Sequence, residues 1–584
     1  MSDSLFFGTS GPRNARIAVV AESWGWEEAA QHAPLVGQSG QEFTRILADA
    51  GINRDDVFLT NVISARPENN EAWRFFEQTK MAMTPPIAGL YPNEQAKSEI
   101  ARMYAQLDVV RPDVVIAAGN YSLWALTDRA NITQAKDRLG KSVGVLAPSG
   151  IMNYRGSMLF SDESRTGNSY RVLPIIHPAA ILRQWNLRAV TVHDISARVP
   201  MALADNWRPA NPPTIIAPPD FSEAIDYLDD IIRKLERGPT DVCMDVETIP
   251  SASLLVCMGI CTDLLSAMSV PFLRVLDSGG IESYWSVQEE AQLIRRFRTI
   301  MMHPNARLVG QNFAYDLQWT LRDWGVPPRV DFDTMLAQHL VFPGTPKALH
   351  YISSLYVTYH WFWKEDAKEW HMKEESLPEL LTYNAMDVLR TLESAWELRA
   401  LIRDMGMWEQ WEWELKKHDL ALEMMQRGVR IDRKLRTSMT GQIMAESSRI
   451  KSWIDNLFPD ELFGSPTSKT AWYMSPAQTK DFFYNWMGLK EITNRKTGNA
   501  TVGKEAMEEL ETKYPRLGKL FRNLRALRSL GVFQSHFMLA PLSDDGRMRC
   551  SFNTSGTETF RWSSSSNAFG EGTNLQNLPT GNED

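Results

Sequence analysis

Residues 241–248 read Asp241-Val242-Cys243-Met244-Asp245-Val246-Glu247-Thr248, an apolar run that turns acidic as it ends. Preceded by the turn signal Gly238-Pro239, such a run forms a strand. Side chains two apart on a strand point the same way, so the Asp245 and Glu247 carboxylates face one side and can share a hard divalent cation. Upstream, Phe221–Arg237 carries the apolar spacing of an amphipathic helix. Downstream, Leu308-Val309-Gly310-Gln311-Asn312-Phe313-Ala314-Tyr315-Asp316 reads as a strand and turn that deliver a third carboxylate. Tyr383-Asn384-Ala385-Met386-Asp387 then sets a phenol and a carboxylate at i and i+4, one helical face. Taken singly, Asp245 and Glu247 also fit two solvated acids at a strand end, and Tyr383 fits a packed helix aromatic; it is their order together that points to metal-dependent chemistry.

The chain has 584 residues, a length that implies about four domains. Its 43% hydrophobic and 23% charged residues are the balance of a globular protein and exclude wholesale disorder. A net charge of −9 excludes a uniformly basic nucleic-acid coat, so contact with nucleic acid falls to local basic surfaces. The four cysteines, Cys243, Cys257, Cys261 and Cys550, are too few and too scattered for a disulfide framework, which favours a reducing compartment. The chain does not open on a basic stretch followed by an apolar run, and no segment approaches 18 consecutive apolar residues. The expectation is therefore a cytoplasmic protein with no membrane contact.

Strand candidates at 17–21, 57–61, 114–118 and 172–176 alternate with helical patterns, the signature of an α/β sheet domain. Residues 207–220 hold Pro209, Pro212, Pro213, Pro218 and Pro219 and read as a linker, excluded from regular helix and from a central strand. From about residue 401 strand signals fade and long helical patterns take over.

The three acidic motifs, with Asp333-Thr334-Met335-Leu336, His339-Leu340 and Pro343 between the second and third, resemble the proofreading 3′→5′ exonuclease domain of family A DNA polymerases, the type with four acids and a tyrosine. The resemblance implies that Asp245, Glu247 and Asp387 hold metal ions directly, that Asp316 contributes through water, and that Tyr383 orients the attacking water. The implied cofactors are two Mg²⁺ or Mn²⁺ ions, which about 4 Å apart can stabilise the attacking hydroxide and the departing 3′ oxygen together.

In the first domain, Ala21-Glu22-Ser23-Trp24-Gly25, Pro34-Leu35-Val36-Gly37, Thr60-Asn61-Val62, Arg66-Pro67 and His177-Pro178-Ala179 resemble, in this order, the uracil-DNA glycosylase superfamily, nearest its family 4 type, over residues 16–199. The resemblance implies that Glu22 belongs to the first loop, that the Asn61 amide reads a base edge, and that His177 stabilises charge on the departing base, as excision of a flipped base requires. Singly, His177 also fits a satisfied core histidine and Asn61 a turn cap. The departures are specific. Leu35 stands where the family has a stacking phenylalanine, Ala21 and Trp24 where it has glycine and proline, and Glu68-Asn69-Asn70 follows Arg66-Pro67 where the family continues with Pro-Gly-Asn. Ala65 stands at one expected cysteine, and all four cysteines lie beyond residue 240, so no iron–sulfur cluster is expected. Two readings stay open for this domain: base excision, or a retained scaffold that binds DNA or a partner.

Residues 414–430 read as an amphipathic helix that runs up to Arg427-Gly428-Val429-Arg430, followed by Ser475-Pro476-Ala477-Gln478, Lys496-Thr497-Gly498 and residues 501–510. Residues 515–561 hold eight basic side chains against three acidic ones, a net of +5, with Arg522, Arg525 and Arg528 near one helical face. Thr557-Glu558-Thr559-Phe560-Arg561-Trp562-Ser563-Ser564 and Asn574-Leu575-Gln576-Asn577-Leu578-Pro579 resemble the family A pattern Thr-x-Thr-Gly-Arg-Leu-Ser-Ser and Asn-Leu-Gln-Asn-Ile-Pro, with Phe560 and Trp562 departing and residues 568–573 inserted. The resemblance implies a thumb whose Arg561, Asn574, Gln576 and Asn577 grip a primer–template duplex from its minor groove, with Arg522, Arg525 and Arg528 on phosphates.

The expectation is a multidomain α/β plus α fold. Residues 1–205 form a glycosylase-like α/β/α domain, 206–220 a linker, 221–402 a ribonuclease H-like exonuclease domain, and 403–584 a mostly helical polymerase thumb with the start of a palm. The palm and fingers motifs of family A are not among these residues, which leads to three functional readings. The first is the N-terminal chain of a split replicative polymerase of bacteriophage type, binding primer–template duplex and single-stranded 3′ ends in the bacterial host cytoplasm, with a second polypeptide supplying palm and fingers. The second is a self-contained DNA repair enzyme combining base excision and end trimming. The third is a non-catalytic DNA-binding scaffold.

Overall fold

The computed structural model describes residues 4–79, 85–137, 141–204, 211–276, 278–364, 376–458, 471–494 and 498–577. Residues 206–210 of the expected linker, Lys496 and Thr497, and Leu578 and Pro579 lie outside the described residues. The chain divides into two compact units, residues 1–248 with 255–415, and residues 249–254 with 416–584.

In the first unit, strands β1 (Ile17–Ser23), β2 (Val57–Ile63), β3 (Val114–Ala118), β4 (Leu159–Phe160) and β5 (Arg171–Ile175) form a sheet ordered β2-β1-β3-β5-β4. Its first four members run parallel and β4 is an antiparallel edge. A parallel sheet is covered on both faces, and alternate residues enter opposite cores. Ala18, Val20, Phe58 and Val115 pack on one side, and Val19, Ala21, Leu59, Ile116 and Leu173 on the other. Parallel strands also bring their carboxyl ends to one edge, where a crevice opens, and Glu22, Asn61, Gly119 and His177 all stand at that edge.

The second sheet of this unit contains β6 (Thr214–Ile216), β7 (Thr240–Ile249), β8 (Leu254–Cys261), β9 (Ser266–Pro271), β10 (Ala306–Gly310) and β11 (Phe332–Asp333), in the order β11-β10-β7-β8-β9-β6. With β7 as first strand, the five strands from β9 to β11 run third, second, first, fourth, fifth, the ribonuclease H-like arrangement. Helix Phe221–Arg237 packs beside it. Asp220 caps that helix by accepting from Glu223 N at 2.8 Å, while Glu223 accepts from Asp220 N at 3.0 Å, a reciprocal pair that satisfies two otherwise orphaned donors. The expected linker needs correction: residues 214–216 form β6, which pairs in parallel with β9. The strand sits at the sheet edge, a place where a proline-rich segment is tolerated in a sheet.

In the second unit, helix Arg433–Leu457 and helices Lys504–Lys513 and Gly518–Phe533 enclose Ile450, Ile454, Trp472, Phe483, Leu510, Phe521 and Leu524. The helix expected over 414–430 in fact spans Trp408–Arg427. Gly428 ends it in the left-handed region, at φ 58°, and Val429–Arg430 leave as a strand paired with Arg547–Met548.

The two α/β parts of the first unit are joined through buried charge. Arg155 and Asp194 are 1% and 0% exposed and paired twice, once through Arg155 Nε at 2.7 Å. Arg155 Nη1 also donates to Ser354 Oγ at 2.8 Å. Arg198 donates to the carbonyls of Ser354, Val357 and Thr358 at the end of helix Leu349–Tyr356, and to Gly156 O, filling acceptors that a helix C-terminus leaves open. Removing one partner of a buried pair strands the other charge, so Asp194→Ala is expected to lower the unfolding free energy of this unit by about 3–5 kcal/mol in urea titration.

Candidate active sites

β7 ends beside helix Leu377–Asp404, and there oxygens of Asp245, Glu247 and Asp387 lie within 4.8 Å of one another. Asp316, in the first turn of helix Ala314–Trp324, is 4% exposed and accepts from Val246 N at 2.8 Å. This bond anchors Asp316 to the strand that carries Asp245 and Glu247. Asn384, fully buried, donates to Asp245 Oδ2 at 2.8 Å and accepts from Ser269 Oγ at 2.7 Å. The loop before Asp316 is fixed by Asp333, a fully buried acid that accepts from Asn312, Phe313, Met335 and Leu336 N. Asp333 is thus a structural cap and not a member of the acidic cluster.

Two residues of this centre have no warning in the sequence. Trp363 Nε1 donates to Asp387 Oδ1 at 2.6 Å, and Lys364 Nζ donates to Tyr383 Oη at 2.6 Å and to Asp387 Oδ2 at 3.1 Å. No spacing rule links Lys364 to Tyr383, nineteen residues away.

The electrostatics of the centre fit a divalent cation. Loss of solvent and the charge of Asp387 push the Asp245 carboxyl up to about 7. The Glu247 and Asp316 carboxyls are held well above the usual range by desolvation and then by Asp245. Carboxylates this crowded are relieved by protons or by a hard cation with oxygen ligands. Tyr383 is likewise pushed up, by burial and then by Asp387, and stays a phenol.

At the edge of the first sheet, a cavity of about 590 Å³ is lined by Glu22, Trp24, Leu35, Asn61, His177 and neighbouring residues. Glu22 Oε1 accepts from Tyr121 N at 3.2 Å, and it reaches that position because Gly119, at φ 105°, has no side chain; a Cβ there would stand 2.4 Å from the same oxygen. Asn61 is 2% exposed, and its Oδ1 is buried without a hydrogen-bond partner among the described residues. His177 caps helix Pro178–Arg183: its Nδ1 accepts from Ala179 N at 3.2 Å. An accepting Nδ1 puts the proton of a neutral imidazole on Nε2, leaving that edge a donor. Leu35, buried in the left-handed region at φ 51°, and Trp24 both line the cavity, so these departures from the glycosylase pattern change its wall.

In the second unit the basic residues are less free than their count implies. Arg522 donates to Glu511 at 2.5 Å, Arg525 pairs with Glu508 at 2.9 Å and with Glu511, and Arg528 donates to Val502 O and Thr479 Oγ1. Glu508 and Glu511 lie outside the stretch whose charge was counted and fold back onto it. Arg561, Gln576 and Asn577 are exposed, while Asn574 Oδ1 is taken by Ser564 Oγ and Gln576 N. Phe560 adopts φ 61°, a left-handed conformation that costs a residue with a side chain about 1–2 kcal/mol.

Comparison with known proteins follows this division. Residues 7–195 match the uracil DNA glycosylase superfamily, and residues 220–403 match a 3′-5′ exonuclease family. The type-4 uracil-DNA glycosylase of Thermotoga maritima is 29% identical over 187 residues, 32% of this chain and 77% of that protein. The DNA polymerase of Bacillus phage SP01 is 21% identical over 354 residues, 57% of this chain and a third (33%) of that protein. Among solved structures, the POL domain of Pol1 from M. smegmatis, in complex with DNA primer-template and dNTP, is 16% identical with a TM-score of 0.43, over 63% of this chain and 56% of that one. No helix among the described residues is long and apolar enough to cross a membrane. Strand order, the edge cavity and the acidic cluster agree with the two family matches: the chain joins a uracil DNA glycosylase superfamily domain, residues 7–195, to a 3′-5′ exonuclease domain of the family A DNA polymerase type, residues 220–403.

Proposed function

We propose that the chain trims single-stranded 3′ DNA ends by metal-dependent hydrolysis, as the proofreading part of a family A polymerase, within domains bounded at residues 205, 220 and 402. The observation that carries this is the convergence of Asp245, Glu247 and Asp387 within 4.8 Å, with Tyr383 one helical turn before Asp387. Asp245, Glu247 and Asp387 would hold Mg²⁺ or Mn²⁺, with Asp316 reaching them through water. When bound, such ions supply a hydroxide near neutral pH and offset charge on the leaving 3′ oxygen. The chain's own residues hold the geometry. Asn384 fixes the Asp245 carboxylate and Trp363 that of Asp387. Tyr383, a phenol throughout the physiological range, serves the attacking water as a hydrogen-bond partner and not as a base. Arg561, Asn574, Gln576 and Asn577, with Arg522, Arg525 and Arg528, are the proposed duplex contacts; the last three must exchange internal partners for phosphates. A second polypeptide carrying palm and fingers is part of this proposal, and the native mass of the assembly tests it.

A second reading of the first domain rests on the unpartnered Asn61 Oδ1. A buried acceptor left open loses a hydrogen bond's worth of free energy, and the N–H of a flipped pyrimidine would satisfy it while His177 Nε2–H faces the developing anion. We therefore propose that the cavity accepts a flipped base.

In a gel assay, the Asp245→Ala, Glu247→Ala double variant should lose metal-dependent degradation of single-stranded ends; undiminished degradation refutes the exonuclease assignment. The pH dependence has a definite sign. Free aspartate titrates at about 3.9, whereas Asp245 in the folded chain titrates at about 7. The metal-free protein therefore loses stability from this group as pH rises between those values, and loses no more above them. Metal must displace the proton, so Mg²⁺ binding measured by calorimetry should tighten from about pH 5.5 to about pH 8; equal affinity at both would count against the cluster. For the cavity, uracil-containing DNA should yield abasic sites with the wild type and at least about 10²-fold fewer with His177→Ala. No product from single- or double-stranded substrate with the wild type leaves the domain a scaffold.

A further inference from the structure

Lys364 lies on the segment that precedes helix Leu377–Asp404, with a side chain 24% exposed. Its ammonium has three donors and no acceptor. One N–H goes to Tyr383 Oη at 2.6 Å and another to Asp387 Oδ2 at 3.1 Å, and the nitrogen stands 4.9 Å from the centre of the Tyr383 ring. Because the lysine can only donate, the Tyr383 hydroxyl hydrogen must point away from it, toward the carboxylates. The neighbouring Trp363 holds the other oxygen of Asp387, so adjacent residues grip both oxygens of one carboxylate.

We propose that Lys364 is a positioning residue of the exonuclease centre: its ammonium is a resident counter-charge that sets the Tyr383 hydroxyl and Asp387 for the reaction, and it opposes metal binding through its own positive charge. This rests on the exonuclease reading above. A fixed cation beside the carboxylates does two separable things. It lowers the repulsion among acids that the fold has crowded together, and it repels an incoming divalent ion that binds the same oxygens. Orientation of Tyr383 and metal affinity therefore respond to its removal in opposite directions, which loss of structure does not produce.

The test compares the full chain with its Lys364→Met, Lys364→Gln and Lys364→Arg variants in two measurements, Mn²⁺ binding followed by electron paramagnetic resonance and single-turnover degradation of single-stranded DNA at saturating Mn²⁺. Both neutral variants should bind Mn²⁺ about tenfold more tightly, since a like charge at close range has gone. Their rate at saturation should fall about 10²-fold, the scale of a misplaced catalytic group. Lys364→Arg, which keeps the charge, should retain the wild-type Kd and recover much of the rate. Unchanged or weaker Mn²⁺ binding in the neutral variants, or a saturated rate close to that of the wild type, overturns the proposal. A wild type that neither binds Mn²⁺ nor degrades DNA overturns the exonuclease reading and this role with it. A wild type that does both, beside an unaltered Lys364→Met, overturns the role of Lys364 alone.

Discussion

Negative charges drawn into one poorly solvated place repel, and much of the exonuclease half of this molecule can be understood as the means of holding them there. Asp245 and Glu247 arrive on a strand, Asp387 on a helix, and Asp316 on a second helix whose leading loop is tied down by Asp333. None of these elements could relax away without leaving buried donors open. The Val246 amide needs Asp316, the Asn384 amide needs Asp245, and the Trp363 indole needs Asp387. Repulsion among the acids is thus balanced by hydrogen bonds that point each carboxylate inward, and what remains of it is available to a cation.

How much of this was legible in the sequence follows the range of the physics. Asp245 with Glu247, and Tyr383 with Asp387, are placed by strand and helix periodicity, which a few residues decide, and the four parallel strands of the first sheet are marked by their own apolar runs. Helix Phe221–Arg237 is bounded by residues that cap it. Features decided at long range were not visible. Arg155 finds Ser354 at a separation of 199 residues, Lys364 meets Tyr383 at a separation of nineteen, and β6 exists only because a sheet edge is present for it to join. Local counting also misjudged charge, since the acids that engage Arg522 and Arg525 come from the preceding helix.

The first domain shows the same logic with a different outcome. Parallel strands put Glu22, Asn61 and His177 at one edge regardless of what they do there, so their convergence belongs to the architecture. What the architecture does not require is an amide oxygen left buried and unanswered, or a histidine whose outward nitrogen is made the donor by a cap on the inward one. Leu35 and Trp24 alter the wall against which a base would lie, while the polar groups that would read its edge are kept.

The grip of Arg198 on the carbonyls closing helix Leu349–Tyr356 has a consequence for modularity. Ordinarily a proline-rich connector advertises a cleavable joint, and each side is presumed to survive alone. Here the glycosylase-type half supplies the terminal cap of an exonuclease-type helix, and the exonuclease-type half returns a hydroxyl to Arg155. The two halves are therefore one heritable piece. Recombination at the connector would hand each descendant a set of stranded polar groups, so lineages that separate these domains must first rebuild the seam.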